Sequence, residues 1–182
     1  MGIDAETSPT ELATLVSQAL EDNGIRATLS GGGAVSIYTE NLYESRDLDF
    51  VTAERRERLA AALAPLGFSL ADDKRHFAHP ATELFLEFPA APLAFGRRVV
   101  EQDDIPKLET PWGRLRIVTP TLCVMDRLAA YWHWNDRQCW DQAVMVAERN
   151  AIDYEVLLEF AQEEGADQRD IGKLRERAAQ GR

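Results

Sequence analysis

The chain has 182 residues, of which 45% are hydrophobic and 28% charged, so it is long enough for one globular domain with a substantial core and is neither disordered nor fibrous. Its formal net charge of −11 opposes non-specific binding to nucleic-acid backbone or to an anionic membrane. Two cysteines, no signal-peptide pattern and no apolar run of membrane-spanning length together predict a cytoplasmic protein.

The first predicted elements are a helix, a short strand and a second helix that follows a glycine turn. Ser8 and Pro9 are typical of a helix start, and apolar residues at helical spacing continue to about residue 23. An apolar strand is predicted at 25–30. The glycines at 31–33 come next, and residues 34–38 are the start of a short helix.

Strands dominate the middle of the sequence. They are predicted at 47–51, 68–70, around 77 and at 84–88, with a helix from about 53 to 66 and irregular antiparallel strands over 89–118. Alternation along 84–88 turns Leu86 to one side of the sheet and Glu87 to the other. Glu87 is therefore expected on a sheet face.

Every segment after Thr119-Pro120 is predicted to be helical, at about 121–134, 137–149, 154–164 and 168–179. The composition changes at this point without a flexible linker. We therefore predict an α/β (α+β) domain over 1–118, with a mixed β-sheet flanked by helices, and a helical subdomain over 119–182 that docks on it and helps to form the site.

The candidate chemistry lies in the glycine turn and the strand after it. A strand, a glycine turn and a helix start over Ser30, Gly31, Gly32 and Gly33 expose backbone N–H groups to which phosphate oxygens can bind. Asp47 and Asp49 alternate on a strand and share one face, and two carboxylates so close are unfavourable unless a cation or a proton lies between them. Oxygen ligands favour Mg²⁺ or Mn²⁺, and the reaction class is phosphoryl or nucleotidyl transfer. Glu87 is the candidate third carboxylate, and Glu83 is the fallback.

Two segments carry a resemblance to a known family. Ser30-Gly31-Gly32-Gly33-Ala34-Val35, followed by Arg46-Asp47-Leu48-Asp49-Phe50, resembles the signature of the nucleotidyltransferase fold of the DNA polymerase beta superfamily. The branch that it resembles most is that of minimal nucleotidyltransferases and AbiEii-type toxins of toxin–antitoxin systems. Thr119-Pro120, Asp126-Arg127-Leu128-Ala129-Ala130 and Arg137-Gln138-Cys139-Trp140-Asp141 are similar to the later motifs of that branch.

The resemblance implies a role for each matched residue. Gly31 and Gly32 would hold the phosphates of an NTP substrate, Asp47 and Asp49 would bind the metal, and Glu87 would be the third acid. Arg127 would replace the lysine of the family, and Asp141 would match the last aspartate of its helical motif. The acceptor hydroxyl would belong to a protein, a tRNA or a small molecule. The expected protein partner is an antitoxin or a second copy of the chain.

Other interpretations stay open at the level of sequence. Arginine at 127 and glutamine at 138 favour a catalytically silent binding or antitoxin-like module, whereas a phosphate-binding hydrolase would have a different α/β fold. The aromatic string at 131–137 either packs between helices or stacks on a base. His76 and His79 are interpreted as surface-strand residues rather than zinc ligands. Clusters of arginine and lysine would bind a tRNA only if they converge near the glycine turn.

Overall fold

The computed structural model describes residues 2–181, so residues 1 and 182, the outer ends of the two predicted domains, lie outside the described residues. The α-helices are α1 (Pro9–Asp22), α2 (Gly31–Tyr38), α3 (Arg56–Leu63), α4 (Pro120–Trp134), α5 (Arg137–Arg149), α6 (Tyr154–Glu164) and α7 (Arg169–Gln180). The strands are β1 (Thr28–Ser30), β2 (Asp47–Val51), β3 (Ser69–Leu70), β4 (Phe77–Ala78), β5 (Phe85–Glu87), β6 (Ala94–Phe95), β7 (Arg98–Val99), β8 (Leu108–Thr110) and β9 (Gly113–Leu115).

A five-stranded mixed sheet in the order β1-β2-β5-β4-β3 forms the centre of the N-terminal part. β2 pairs parallel with β5, and the other neighbours in this sheet are antiparallel. Leu48, Phe50 and Leu86 are fully buried on one face of the sheet. Because side chains alternate along a strand, the opposite face carries the polar residues of β2 and β5.

Local sequence signals account for most helix starts. The Ser8 side chain accepts a hydrogen bond from the Glu11 N–H at 3.2 Å, which confirms the predicted cap of α1. α2 starts at Gly31, three residues earlier than predicted, because Gly31 adopts a φ of +65° and turns the chain directly from strand to helix. α3 is shorter than predicted, and a 3₁₀ turn containing Pro65 completes it.

The segment 89–118 forms two small hairpins, β6–β7 and β8–β9, rather than further strands of the main sheet. The segment after β9 returns to this sheet through an isolated parallel bridge between Ile117 and Leu29. The predicted irregular antiparallel strands are therefore confirmed, and they form sheets of their own.

The four C-terminal helices pack against the N-terminal part through a continuous apolar core that contains Phe50, Met125 and Val146. Tyr38 helps to join the two parts, since its carbonyl accepts a hydrogen bond from the Asn150 amide of the helical part at 2.9 Å. Its hydroxyl donates to the carbonyl of Val118 at 2.6 Å, at the end of the N-terminal part. α4 lies beside α2, which places the start of α2 next to the helical part. The domain division at residue 118 stays a prediction.

None of the helices formed by residues 2–181 has both the length and the apolar composition of a membrane-spanning helix.

Candidate active site

Three carboxylates lie on the polar face of two neighbouring strands. Asp47 and Asp49 belong to β2, Glu87 belongs to β5, and the parallel register places Asp49 opposite Glu87. Residues opposite each other in a sheet project from the same face, so all three side chains point away from the buried Leu48 and Leu86. The predicted alternation of the strand containing Glu87 is confirmed, and it brings the three acids of the sequence prediction together.

Asp49 is the most perturbed of these carboxylates. Burial raises the pKa of Asp49 to about 6, and the nearby charges of Glu87, Asp47 and Asp126 act in the same direction. The positive charge of Arg127 opposes them. Since like charges at short range disfavour ionisation, this group of carboxylates needs a cation or a proton to be stable.

The glycine turn makes room for Asp49. A Cβ on Gly31 would lie 2.7 Å from the Asp49 Oδ2, and the φ of +65° is also unfavourable for any other residue. A Cβ on Gly33 would lie 2.9 Å from Leu48 Cδ2, and one on Gly32 would lie 3.0 Å from the Ser45 Oγ. The glycines therefore let the N-terminus of α2 approach β2 closely. That N-terminus, with its free N–H groups, faces the carboxylates.

Replacing Gly31 with alanine should lower both the stability and the activity of the protein. Gly24 is the matched control, because its φ is +68° and a Cβ there has no atom within 4 Å. Gly24→Ala is expected to cost about 1 kcal/mol from backbone conformation alone. Gly31→Ala is expected to cost at least about 1 kcal/mol more, because Asp49 must move. Urea unfolding of both variants measures the difference, and equal losses would contradict this role of Gly31.

A pocket of about 350 Å³ opens beside the glycine turn. Its lining consists of Ser30, Gly31, Asp49, Val51, Pro89, Ala90, Pro92, Leu93, Ala94, Phe95, Asp126 and Arg127. The apolar wall comes from the segment before and within β6, and the charged wall comes from α4. A larger pocket of about 720 Å³ lies between the N-terminal segment and residues 80–84, and none of the three carboxylates lines it. We place the site at the smaller pocket because Gly31, Asp49 and Arg127 line it, and Asp47 and Glu87 lie on the same sheet face as Asp49.

Arg127 carries the positive charge of this pocket and is largely buried. Its Nη2 donates to Asp126 at 2.5 Å, and its Nη1 donates to the Gln142 Oε1 at 3.2 Å and to the Cys139 Sγ at 3.9 Å. Among the described residues, the Nε of Arg127 is a buried polar atom without a hydrogen-bond partner. A buried donor without a partner is costly, so an acceptor from a ligand would complete it.

Asp141, predicted from the resemblance to complete the site, is exposed on α5 and does not line the pocket. Its neighbour Gln142 is buried and holds Arg127. Consecutive helical residues differ by about 100° in direction, so only one of the two can face α4 at this point. A catalytic role for Asp141 stays a prediction that this placement does not support.

Sequence reasoning missed the groups that surround Glu87. His76 contacts the Glu87 carboxylate through Nε2 and Asp73 through Nδ1, and the Arg75 guanidinium donates to Glu87 at 3.2 Å. The hydrogen bond with Asp73 raises the pKa of His76, as does Glu87, against the effect of burial. Glu83, the fallback acid, instead pairs with Arg46 at 3.3 Å on the surface.

The aromatic string at 131–137 mostly packs between helices. Trp132 lies against Phe160, with ring centroids 5.8 Å apart, and donates to Asp170, while Tyr131 lies against Trp140. These residues do not line the pocket, although Trp134 is 82% exposed.

The predicted basic clusters, at 55–58, 74–75, 97–98 and 169–177, contribute no residue to the lining of the pocket beside the glycine turn. Arg58 pairs with Glu54, and Arg98 pairs with Glu163. Of the residues in these clusters, Arg75 contacts a site carboxylate through its bond to Glu87. The arrangement gives little support to a tRNA-binding surface at this pocket.

Comparison with solved structures identifies the fold. An antigenic nucleotidyltransferase-like protein from Paracoccidioides brasiliensis matches with a TM-score of 0.60 at 13% identity, over 93% of this chain and 94% of that chain. Two structures of the antibiotic-resistance factor ANT(2'')-Ia, one of them in complex with adenylyl-2''-tobramycin, have TM-scores of 0.47 and 0.48. Their identities are 15% and 12%, over 92% and 94% of this chain and 91% and 97% of those chains. No family model and no curated protein matches the sequence. The chain has a nucleotidyltransferase-like fold, which confirms the predicted fold class.

Proposed function

We propose that this protein is a metal-dependent nucleotidyltransferase that moves a nucleoside monophosphate from an NTP to a hydroxyl group. The acceptor oxygen forms a bond to the α-phosphorus, the bond from that phosphorus to the bridging oxygen breaks, and pyrophosphate leaves. The hydroxyl proton passes to a carboxylate of the site or to water. The observation that carries this proposal is the register of β2 and β5, which places Asp47, Asp49 and Glu87 on one face beside the start of α2.

The carboxylate group fits a divalent cation. Oxygen ligands on two paired strands are the donors that Mg²⁺ and Mn²⁺ prefer. The pKa of Asp49 is raised first by burial and then by the like charges of Glu87 and Asp47, and a bound cation would offset both effects. When bound, such an ion neutralises phosphate charge and orients the reacting oxygens. Asp47, Asp49 and Glu87 would hold it, or Glu87 would instead deprotonate the acceptor hydroxyl.

The glycine turn and Arg127 bind and orient the nucleotide. Ser30, Gly31, Gly32 and Gly33 present the helix N-terminus to the phosphate oxygens. Arg127 supplies a positive charge beside them, and its unpaired Nε is a donor for a phosphate oxygen. Catalysis would thus rely on positioning and charge neutralisation.

The acceptor and the biological setting are further parts of this proposal. A protein, a tRNA or a small molecule can supply the hydroxyl, and the net charge of −11 with so few site cations favours a small molecule or protein over tRNA. The resemblance to AbiEii-type toxins supports a toxin–antitoxin role with an antitoxin or a second copy as partner. The two buried cysteines are unpaired, which supports a reducing compartment such as the cytoplasm.

A catalytically silent binding module is the second candidate. In this structure Arg75 pairs with Glu87, whose carboxylate also contacts His76, and Asp126 pairs with Arg127, so much of the charge in the site is paired internally. A silent module would bind an NTP without transferring any part of it.

Incubation with Mg²⁺ or Mn²⁺ and each α-³²P-labelled NTP tests the proposal, alone and with bulk tRNA or host lysate. The expected result is transfer of label that is lost in Asp47→Ala/Asp49→Ala. The variant's folding is checked by circular dichroism. NTP-dependent thermal stabilisation without transfer would favour the silent module, and absence of both would overturn nucleotidyl transfer.

A further inference from the structure

His76 lies opposite the third carboxylate of the site. Phe77 of β4 pairs with Leu86 of β5 in antiparallel register, so His76 and Glu87, one step along each strand, are also opposite each other. Both side chains project from the face that carries Asp47 and Asp49. β2, β5 and the residue just before β4 therefore contribute polar groups to one place, and one of these groups is an imidazole.

The imidazole is fixed in orientation. Asp73 contacts the Nδ1 of His76 and also accepts from the backbone N–H groups of Arg75 and His76, at 2.8 and 3.1 Å. The ring packs against Phe85, with centroids 5.9 Å apart. A carboxylate that binds one ring nitrogen sets the tautomer, and it directs the other nitrogen to a ligand. Here that nitrogen is Nε2, and it points to the acidic face.

The ligand atoms are close enough for a shared ion. One donor atom each from Asp47, His76 and Glu87 lies within 4.8 Å of the others. Two donors at right angles on one ion, each about 2.1 Å from it, are about 3.0 Å apart. Binding an ion here therefore requires only a small movement of the side chains. In this movement His76 and Glu87 separate, and the ion lies between them.

We propose that the Nε2 of His76 is a ligand of a divalent ion held with Asp47 and Glu87, and that this ligand gives the site a preference for first-row transition ions over Mg²⁺. This inference rests on the proposed function only in that Asp47 and Glu87 hold the ion in both. The preference has a chemical reason, because Mg²⁺ selects oxygen ligands, whereas imidazole adds affinity for later first-row ions such as Co²⁺ and Zn²⁺.

The test uses the full chain with Co²⁺, Mn²⁺ and Mg²⁺ as probes. Calorimetric titration of wild type, His76→Gln and the matched control His79→Gln gives the affinities. Electron spin-echo spectroscopy of bound Mn²⁺ then reports a coordinated nitrogen. His79 is a suitable control because it packs against Phe68 and accepts from the Ala81 N–H, outside the acidic face. We expect His76→Gln to weaken Co²⁺ binding at least tenfold and to remove the nitrogen signal. Mg²⁺ affinity should change less than about threefold.

Asp49→Asn separates this inference from the proposed function. Two outcomes would overturn the role of His76 and leave nucleotidyl transfer standing. One is ion binding that requires Asp49 but shows no nitrogen signal, and the other is equal Co²⁺ affinity in His76→Gln and wild type. A nitrogen signal that depends on His76, in a protein that transfers no label, would support the His76 site while nucleotidyl transfer fails. If wild type binds none of the three ions, with or without NTP, both are overturned.

Discussion

Asp49→Asn is expected to stabilise the metal-free protein at neutral pH and to lower label transfer by about 10³-fold or more, the size of effect of losing a main electrostatic group of an active site. The two effects have one cause. The Asp49 carboxylate is largely buried beside Asp47 and Glu87, so its charge is unfavourable without a cation and necessary once one binds. Asparagine keeps the shape and removes the charge.

The stability effect has a defined direction with pH. The pKa of Asp49 is about 6 in the folded chain, above its ordinary value, so the folded state binds the proton more tightly than the unfolded state. The free energy of unfolding of wild type therefore falls as pH rises through about 4 to 6, and the loss, about 1–3 kcal/mol, is complete above that range. Asp49→Asn should unfold at a higher temperature than wild type at pH 8 and at nearly the same temperature at pH 3.5.

Thermal unfolding in EDTA at both pH values measures this difference. Adding Mn²⁺ at pH 8 should raise the melting temperature of wild type more than that of Asp49→Asn, because the ion binds the carboxylate only in the folded state. Wild type and Asp49→Asn with identical melting temperatures at pH 8 in EDTA would contradict the electrostatic cause.

Local patterns in the sequence were sufficient to predict the part of the site that lies within short segments of chain. Ser8 and Pro9 mark the start of α1, and the apolar run before Gly31 marks β1, because caps and turns depend on neighbouring residues. Asp47 and Asp49 share a face by strand alternation alone. Glu87 follows from the same argument once its strand is recognised.

The groups that the sequence did not reveal reach the site through long-range pairing. His76 precedes a strand of only two residues, and its place opposite Glu87 depends on register between β4 and β5. No local periodicity sets such a register. The choice of Gln142 over Asp141 depends on the rotation of α5 against α4, which packing decides.

Asp126 is an acid of the pocket to which the sequence analysis gave no role. Its ion pair with Arg127 affects how Arg127 contributes to stability and to phosphate binding. The two side chains are 21% and 16% exposed, and their ion pair at 2.5 Å lies at the edge of the pocket. Breaking such a pair by removing one partner leaves a partly buried charge without compensation. Arg127→Met should therefore destabilise the fold by about 3 kcal/mol, because Asp126 then faces Asp49 with no cation between them.

The double variant Asp126→Asn/Arg127→Met separates the structural role of Arg127 from its role in binding phosphate. It should regain most of the stability lost in Arg127→Met, since neither charge then remains. It should still transfer label about 10²-fold more slowly than wild type, because the positive charge beside the phosphates is missing. Arg127→Lys is the control that keeps the charge. Urea unfolding and label transfer on wild type, Asp126→Asn, Arg127→Met and the double variant complete the cycle. Full activity in the double variant would mean that Arg127 serves only to neutralise Asp126.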